Sequence, residues 1–175
     1  MESDDRRRQL PPEELLAELP LEEAAAVLDL GAGGGYLTLP ASMRTRGTVF
    51  AVDADPLMRE VLESRVRSRG IANVRVLEGR AERLPLDDAA VDAVLASLVL
   101  HILDEPGEGV LELVRVLKPS GVGLIVEWAE PRPDGKEGHR VFRPDMVRLL
   151  EAAGAAVTGG RAWGDAYYSL LFRKA

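Results

Sequence analysis

Apolar residues along this 175-residue chain fall into short blocks that switch between two periods. Val27–Leu30, Thr48–Val52, Val74–Leu77, Val91–Ala96 and Val122–Trp128 are brief, largely continuous runs, mostly bounded by Gly, Pro or Asp. Such runs predict buried strands, the first over about 26–30. Between them the apolar positions recur at helical spacing. Leu15, Leu16 and Leu19 follow Pro12 and are closed off by Pro20. Leu57, Met58, Val61, Leu62 and Val66 follow Pro56. Val110, Leu111, Val114 and Leu117 mark a helix over 107–117, and Met146, Leu149, Leu150 and Ala153 follow Pro144, with Gly154 as the stop. Proline is at home in a first helical turn and breaks an interior, so Pro40 puts a helix start near Tyr36 or Leu37, or a kink. Lys118–Gly121 reads as a turn. Ala155–Thr158 and Ala166–Phe172 read as two last strands joined by a hairpin connection over 159–165. Residues 1–9 are charged and read as a frayed end, and 130–139 as a loop rich in Pro, Gly and charge.

Strands alternating with helices predict an α/β fold, a mostly parallel sheet with helices on both faces, the last strand antiparallel. No repeat or change in composition divides the chain. The expectation is one domain over 1–175, with 1–20 as an N-terminal helical cap.

Charge and composition narrow the function classes. Lys and Arg number 22 against 29 Asp and Glu, a net charge of −7. An acidic chain is a poor partner for nucleic acid, whose phosphates demand basic surface. The absence of cysteine excludes disulfides, thiolate catalysis and Cys-ligated zinc. Two histidines, His101 and His139, are too few for a histidine-rich metal site, and no metal is expected. No apolar run approaches the ~20 residues of a membrane span, and the charged start lacks a signal-peptide core. The expected setting is cytoplasmic.

The chemistry concentrates at Asp29-Leu30-Gly31-Ala32-Gly33-Gly34-Gly35-Tyr36, where a buried strand ends in a glycine-rich turn and a helix opens. Ligands of open α/β sheets sit beyond the carboxyl ends of strands at such a turn. Gly31 and Gly33 suit a dinucleotide fingerprint, but Tyr36 stands where its third glycine belongs. Asp29, inside the strand end, disfavours a pyrophosphate and favours a cation such as an amino acid's ammonium. About 20 residues further on, Asp53 ends the second strand, where an acidic side chain can accept from both ribose hydroxyls. Asp55, before Pro56, is the better helix cap, which leaves Asp53 for a ligand.

In this order the segments resemble those of class I S-adenosylmethionine-dependent methyltransferases, over about residues 12–175. Val27–Gly35 resembles the family's first motif, which cradles the methionine part of the cofactor. Val49–Asp53 resembles the ribose-binding second motif. Gly79-Arg80-Ala81-Glu82-Arg83-Leu84-Pro85-Leu86 resembles the adenine loop. Ser97–His101 falls on the loop that faces cofactor and substrate, and Leu111–Gly121 resembles the helix and turn before strand five. The resemblance implies a Rossmann-like sheet of seven strands and S-adenosyl-L-methionine as cofactor. The cofactor-binding set it implies is Asp29, Gly31, Ala32, Gly33, Gly35, Tyr36, Asp53, Ala54, Met58, Ala81, Glu82 and Ser97. Met58 by its spacing reads first as core, with contact to a ligand ring as the second reading. Two positions depart from the pattern. Arg80 stands where an acidic residue often accepts from adenine, leaving that role to Glu82 or to the backbone at Ala81. Ser120 stands where the family commonly has glycine.

Methyl transfer from a sulfonium needs the acceptor atom held in line, and a base where the acceptor is a hydroxyl or an acidic carbon. His101 is the candidate base, with packing of its loop as the alternative. Glu127, closing strand five, can orient His101 or an acceptor, or pair with an arginine. His139, Tyr167 and Tyr168 sit on segments that can border the acceptor, and strand alternation allows only one of the two tyrosines on a given face. The loop after strand four reads Ala96-Ser97-Leu98-Val99, not the Asn-Pro-Pro-Tyr of many nucleic-acid amine methyltransferases. With the acidic charge, that points to a small-molecule acceptor. Two alternatives stand beside it: a cofactor-binding protein without turnover that acts through a partner, and a nicotinamide oxidoreductase, against which Tyr36 argues.

Overall fold

The computed structural model describes residues 4–129 and 140–175. The segment 130–139, with His139, lies outside the described residues. The chain runs α1 (Asp4–Gln9), α2 (Pro12–Ala17), β1 (Val27–Leu30), α3 (Thr38–Ser42), β2 (Val49–Asp53), α4 (Pro56–Ser68), β3 (Val74–Glu78) and β4 (Val91–Ser97). After a 3₁₀ turn at Leu100–Ile102 come α5 (Pro106–Val116), β5 (Leu117–Trp128), α6 (Arg143–Ala152), β6 (Ala155–Gly159), β7 (Ala162–Trp163) and β8 (Tyr167–Lys174). The sheet order is β3-β2-β1-β4-β5-β8-β6, with β7 paired to β8. Strands β1 to β5 are parallel, and β8 is antiparallel between β5 and β6. The strand order reverses between β1 and β4, and that reversal opens a crevice at the carboxyl ends of the strands.

Strand alternation divides the core between two layers. Val27, Val49, Ala93, Leu95, Leu124 and Val126 pack under Leu15 and Leu16 of α2 and Leu37 and Ala41 at α3. Ala51 meets Leu62 of α4 on the same side. Leu28, Leu30, Val94, Ala96, Ile125 and Phe172 pack against Val110, Leu113 and Val114 of α5 and Met146 and Leu150 of α6.

Four expectations change. Residues 4–9 are helical rather than frayed: Leu10, wholly buried, draws α1 down onto the body of the protein. In α5 the buried stripe is Val110, Leu113 and Val114, and Leu111 is 56% exposed. Leu111 and Val110 are adjacent and cannot face one way, whereas positions three and four apart can. Leu117, buried as expected, belongs to β5. The sheet has an eighth strand, because Ala162–Trp163 in the connecting segment pairs with Tyr167–Tyr168. Finally, Lys118–Gly121 is a bulge inside β5: the register steps from Val91↔Leu117 to Ala93↔Val122. Ser120 there has φ +62°, a conformation that glycine adopts without strain.

Candidate functional site

Two hollows meet at Gly31, at the carboxyl ends of β1, β2 and β4. The first, about 380 Å³, is lined by Arg6, Asp29, Gly31, Gly33, Tyr36, Met58 and Ser97, among others. The second, about 300 Å³, lies between Asp53 and Ala54, the segment Arg80-Ala81-Glu82, and apolar residues after β4 such as Leu98, Val99 and Leu103. A larger hollow of about 570 Å³ opens at the opposite end of the strands, between Pro20–Ala25 and Lys118–Gly121. It contains none of the motif residues.

The glycine turn is held from two sides. Gly31 has φ +67°, and a Cβ there would stand 2.6 Å from Val99 Cγ2, so no larger residue lets β1 pass this close to the loop after β4. Gly33 also has positive φ, but an added Cβ would meet no protein atom nearer than 4.0 Å. Its bareness leaves the cavity wall open to a ligand. Gly35 is different: it faces Leu62 and Leu39, away from the cleft, and its role is packing against α4. Ala32 lines the first hollow and is itself buried.

Asp29 is 2% exposed and accepts a hydrogen bond from Thr38 Oγ1 at 2.6 Å. Burial pushes its carboxyl up to about 7, against the pull of Thr38 and the Arg6 guanidinium. Asp53 is not free, as its sequence position suggests. Its Oδ2 accepts from the Gly33 N–H at 2.7 Å and its Oδ1 from the Asp55 N–H at 2.9 Å. Two acceptor sites remain on the carboxylate, which is oriented by those bonds. Asp55 caps α4 through the Leu57 N–H, at 2.8 Å. Met58 and Val61 border the first hollow instead of entering the core, and Leu57 is 65% exposed. In the second hollow Ala81 is buried, and Glu82 lies 3.6 Å from the exposed Arg80.

His101 and Glu127 come together in the interior. His101 Nδ1 lies 2.7 Å from Glu127 Oε2. Glu127 Oε1 accepts from the N–H groups of Val99, Leu100 and His101 at 3.1, 2.8 and 3.4 Å. Leu98 makes this possible: its φ of +57° turns the following amides toward Glu127. A carboxylate only accepts, so a proton lies on Nδ1, and in the neutral ring Nε2 is then the atom with the lone pair. The imidazole edge faces the Trp128 ring, centroids 6.5 Å apart, and Trp128 stacks on Tyr167 at 4.5 Å. Tyr168 points to the other layer, where its hydroxyl donates to the Val141 carbonyl at 2.6 Å.

Arginines that the sequence reading passed over fix the loops around the cleft. Arg59 donates to the carbonyls of Asp53 and Ala54 at 3.0 and 2.9 Å, and Arg65 to that of Gly34 at 2.6 Å. Arg115 bridges Glu112, Asp88 and the Leu86 carbonyl, while Glu112 accepts from the Leu84 N–H at 2.7 Å. The Glu112 and Asp88 carboxylates push the Arg115 pKa upward. A forked guanidinium reaches several carbonyls at once, which a lysine cannot. The signal available in the sequence was Glu112 and Arg115, charged at i,i+3 in the otherwise apolar stretch 109–117. Arg6 is the other omission. It enters the first hollow from α1, donating to Ser97 Oγ at 3.1 Å with its guanidinium 4.0 Å over the Tyr36 ring.

Among the described residues no group of three or more His, Asp or Glu is gathered as a metal site, and no helix is long and apolar enough to cross a membrane. The residues fit S-adenosylmethionine on the structure's own terms. A bare glycine wall and a buried carboxyl border one hollow, and a largely apolar slot with the oriented Asp53 carboxylate on its wall forms the other. The model of the methyltransferase domain family matches residues 28–125, more than half the chain. An uncharacterized methyltransferase of Mycobacterium tuberculosis is 42% identical over 128 residues, 72% of this chain and 49% of its own length. The ubiquinone/menaquinone biosynthesis C-methyltransferase UbiE of Idiomarina loihiensis is 36% identical over 108 residues, 60% of this chain and 43% of its own. The chain thus spans about half the length of the curated relatives it matches. Among solved structures, a SAM-dependent methyltransferase from Aquifex aeolicus superposes with a TM-score of 0.88 at 29% identity, covering 99% of this chain and 94% of that one. Fold and family match agree, and the chain belongs to the class I S-adenosylmethionine-dependent methyltransferases.

Proposed function

We propose that the protein binds S-adenosylmethionine across the two hollows and transfers its methyl group to a small-molecule acceptor, with His101 as general base. The observation that carries this reading is the pairing of two hollows at Gly31, one with the buried Asp29 carboxyl and one largely apolar with Asp53 on its wall. Asp29 would face the ammonium of the methionine part and Asp53 the ribose hydroxyls. Ala54, Ala81 and Leu103 would enclose the adenine, with Glu82 or the Ala81 backbone reading its edge. The cofactor, when bound, supplies an electrophilic methyl on a sulfonium. The protein's share is to hold the acceptor in line and to take a proton from it where there is one. Glu127 keeps the His101 proton on Nδ1, which leaves Nε2 ready to accept.

The acidic net charge favours a small molecule over nucleic acid. The name of the UbiE relatives makes a quinone-type ring, methylated at carbon, the first acceptor to try. A cytoplasmic setting goes with this reading on the composition set out above. The version without turnover gains no support from the relatives, whose names describe methyltransferases.

Calorimetry with S-adenosylmethionine and S-adenosylhomocysteine, followed by methyl-transfer assays on quinone-type and phenolic acceptors, tests the proposal. Both nucleosides should bind, and His101→Gln should cut turnover at least tenfold with S-adenosylhomocysteine affinity unchanged. No binding of either nucleoside refutes the cofactor reading. Full activity in His101→Gln removes the base.

A further inference from the structure

The protein is acidic overall, with 22 Lys and Arg against 29 Asp and Glu, but one face reverses that sign. A hollow of about 310 Å³ opens beside Gly35 and Tyr36, between α1, the start of α2, α3 and the last turns of α4. Arg7, Arg65 and Arg69 line it, against one carboxylate among the described residues, Glu13. Arg65 is pinned to the Gly34 carbonyl at 2.6 Å. Arg7 reaches Glu13 at 3.3 Å, with both side chains more than half exposed. An ion pair so exposed contributes little and holds neither partner firmly. Arg69 is exposed and has no side-chain hydrogen bond or ion pair among the described residues. Arg44 brings a fourth guanidinium to the same place, donating to the Glu13 carbonyl at 3.4 Å.

Met43 lines this hollow too and is 81% exposed, the most exposed of the large apolar side chains described. A lone exposed apolar residue calls for no explanation by itself. A methionine set among guanidiniums suits a partner that is anionic at its surface and apolar beneath. Arginine stems lie along apolar matter while their heads stay in the polar layer, and a guanidinium fork matches phosphate oxygens in two bonds. We propose that this face docks on an anionic lipid bilayer, with a headgroup phosphate seated among Arg7, Arg44 and Arg69 and Met43 dipping below it. The acidic remainder of the molecule does not oppose this, because at physiological salt charges beyond ~8–10 Å are largely screened. Nucleic acid is the poorer partner. Single strands are held by aromatic faces on which bases stack, and the one ring at this hollow, Tyr36, is buried with Arg6 already over it. Arg7, Met43, Arg44 and Arg69 line neither hollow of the cleft, so the proposal stands apart from the cofactor reading. Tyr36 and Arg65 line both the cleft and this hollow, so a docked protein holds its cleft close to the headgroup layer.

The test is flotation of the full chain with vesicles of phosphatidylcholine alone and of phosphatidylcholine mixed with phosphatidylglycerol. Wild-type protein should float with the mixed vesicles only, and salt at about 0.5 M should release it. Arg7→Gln, Arg44→Gln and Arg69→Gln should each weaken partition by about fivefold, the ordinary effect of one basic residue near such a surface. Met43→Ser should weaken it by about threefold with the charge unchanged. Arg148→Gln, on α6 at the opposite face of the sheet, should change nothing. All five side chains are exposed, and thermal unfolding verifies that each variant is folded. Equal binding to both kinds of vesicle, binding to neither, or wild-type partition in the Arg7, Arg44 and Arg69 variants would overturn the proposal. So would an equal loss in Arg148→Gln, which would leave only net charge at work. Inorganic phosphate that displaces the protein at the concentration of the lipid phosphate would make the hollow a site for a soluble anion instead of a bilayer. A single-stranded oligonucleotide bound more tightly than the vesicles through the same arginines would likewise refute docking on lipid.

Discussion

At the scale of single residues, the site is built from side chains with two duties. Asp53 orders the glycine turn through Gly33 and holds the start of α4 through Asp55, and on the proposed reading its remaining lone pairs would serve a ribose. Its replacement should therefore show in both stability and binding. Asp53→Ala removes the acceptor for two backbone N–H groups and should lower the unfolding free energy by about 1–2 kcal/mol. Beyond that, S-adenosylhomocysteine binding should weaken by about 1–3 kcal/mol, the cost of leaving hydroxyls unpaired. Asp53→Asn keeps one acceptor oxygen and should recover much of the stability but little of the affinity. Denaturant titration and calorimetry on the pair separate the two duties. A stability loss with unchanged affinity would mean that the ribose lies elsewhere. Asp53 was legible because a carboxylate at a strand end is a local signal. Its bonds to Gly33 and Asp55 were not, since they depend on how the glycine turn folds back across the sheet.

Among the elements, α5 shows where a pattern misleads. Its sequence pattern puts Leu111 inside beside Val110 and Val114, and the helical period instead selects Leu113 once that face is fixed. Val110 and Val114 face the sheet, which puts Leu113 inside and Leu111 in solvent. Leu113→Ala should cost about 2–5 kcal/mol, as deletion of a buried leucine does. Leu111→Ala should stay within about 0.5 kcal/mol. Comparable losses at both positions, by urea denaturation, would mean that the exposed face of α5 is covered in solution. Strand positions read well from the sequence because each core strand is a short apolar run between turn residues. The α1 helix did not, because Asp4–Gln9 carries only polar and charged residues and no helical period of its own. Its one signal was Leu10, an apolar residue closing a charged run, and only the fold shows that Leu10 docks under α2. Arg6 was invisible for the same reason: six residues of local sequence contain nothing that points at Ser97, which lies 91 positions away.

For the whole molecule, the buried carboxyl under the glycine turn sets a cost on folding that changes with pH. Asp29 titrates at about 7 in the folded protein against an ordinary 3.8, because burial disfavours its charge. The folded state thus holds a proton that the unfolded chain has released, over the interval between those values. Its contribution is fully present below about pH 4 and is lost as pH rises through 7. Glu112 acts in the opposite sense. The Arg115 side chain holds its carboxyl below the usual range, so its contribution is present at neutral pH and lost on acidification. The ligand-free protein should accordingly be more stable near pH 5.5 than near pH 8, with a fall at still lower pH. Asp29→Asn removes the first titration and keeps the hydrogen-bonding shape, so its stability should change little between pH 5.5 and 8 while its acid limb persists. Urea midpoints of the two proteins at pH 4, 5.5, 7 and 8 decide the matter. A wild-type curve that is flat from 5.5 to 8, or a variant that falls as steeply, would mean that Asp29 is solvated as the chain breathes. On the proposed reading, an ammonium against Asp29 would offset the cost of burying its charge, so ligand binding and ionisation of Asp29 would reinforce one another.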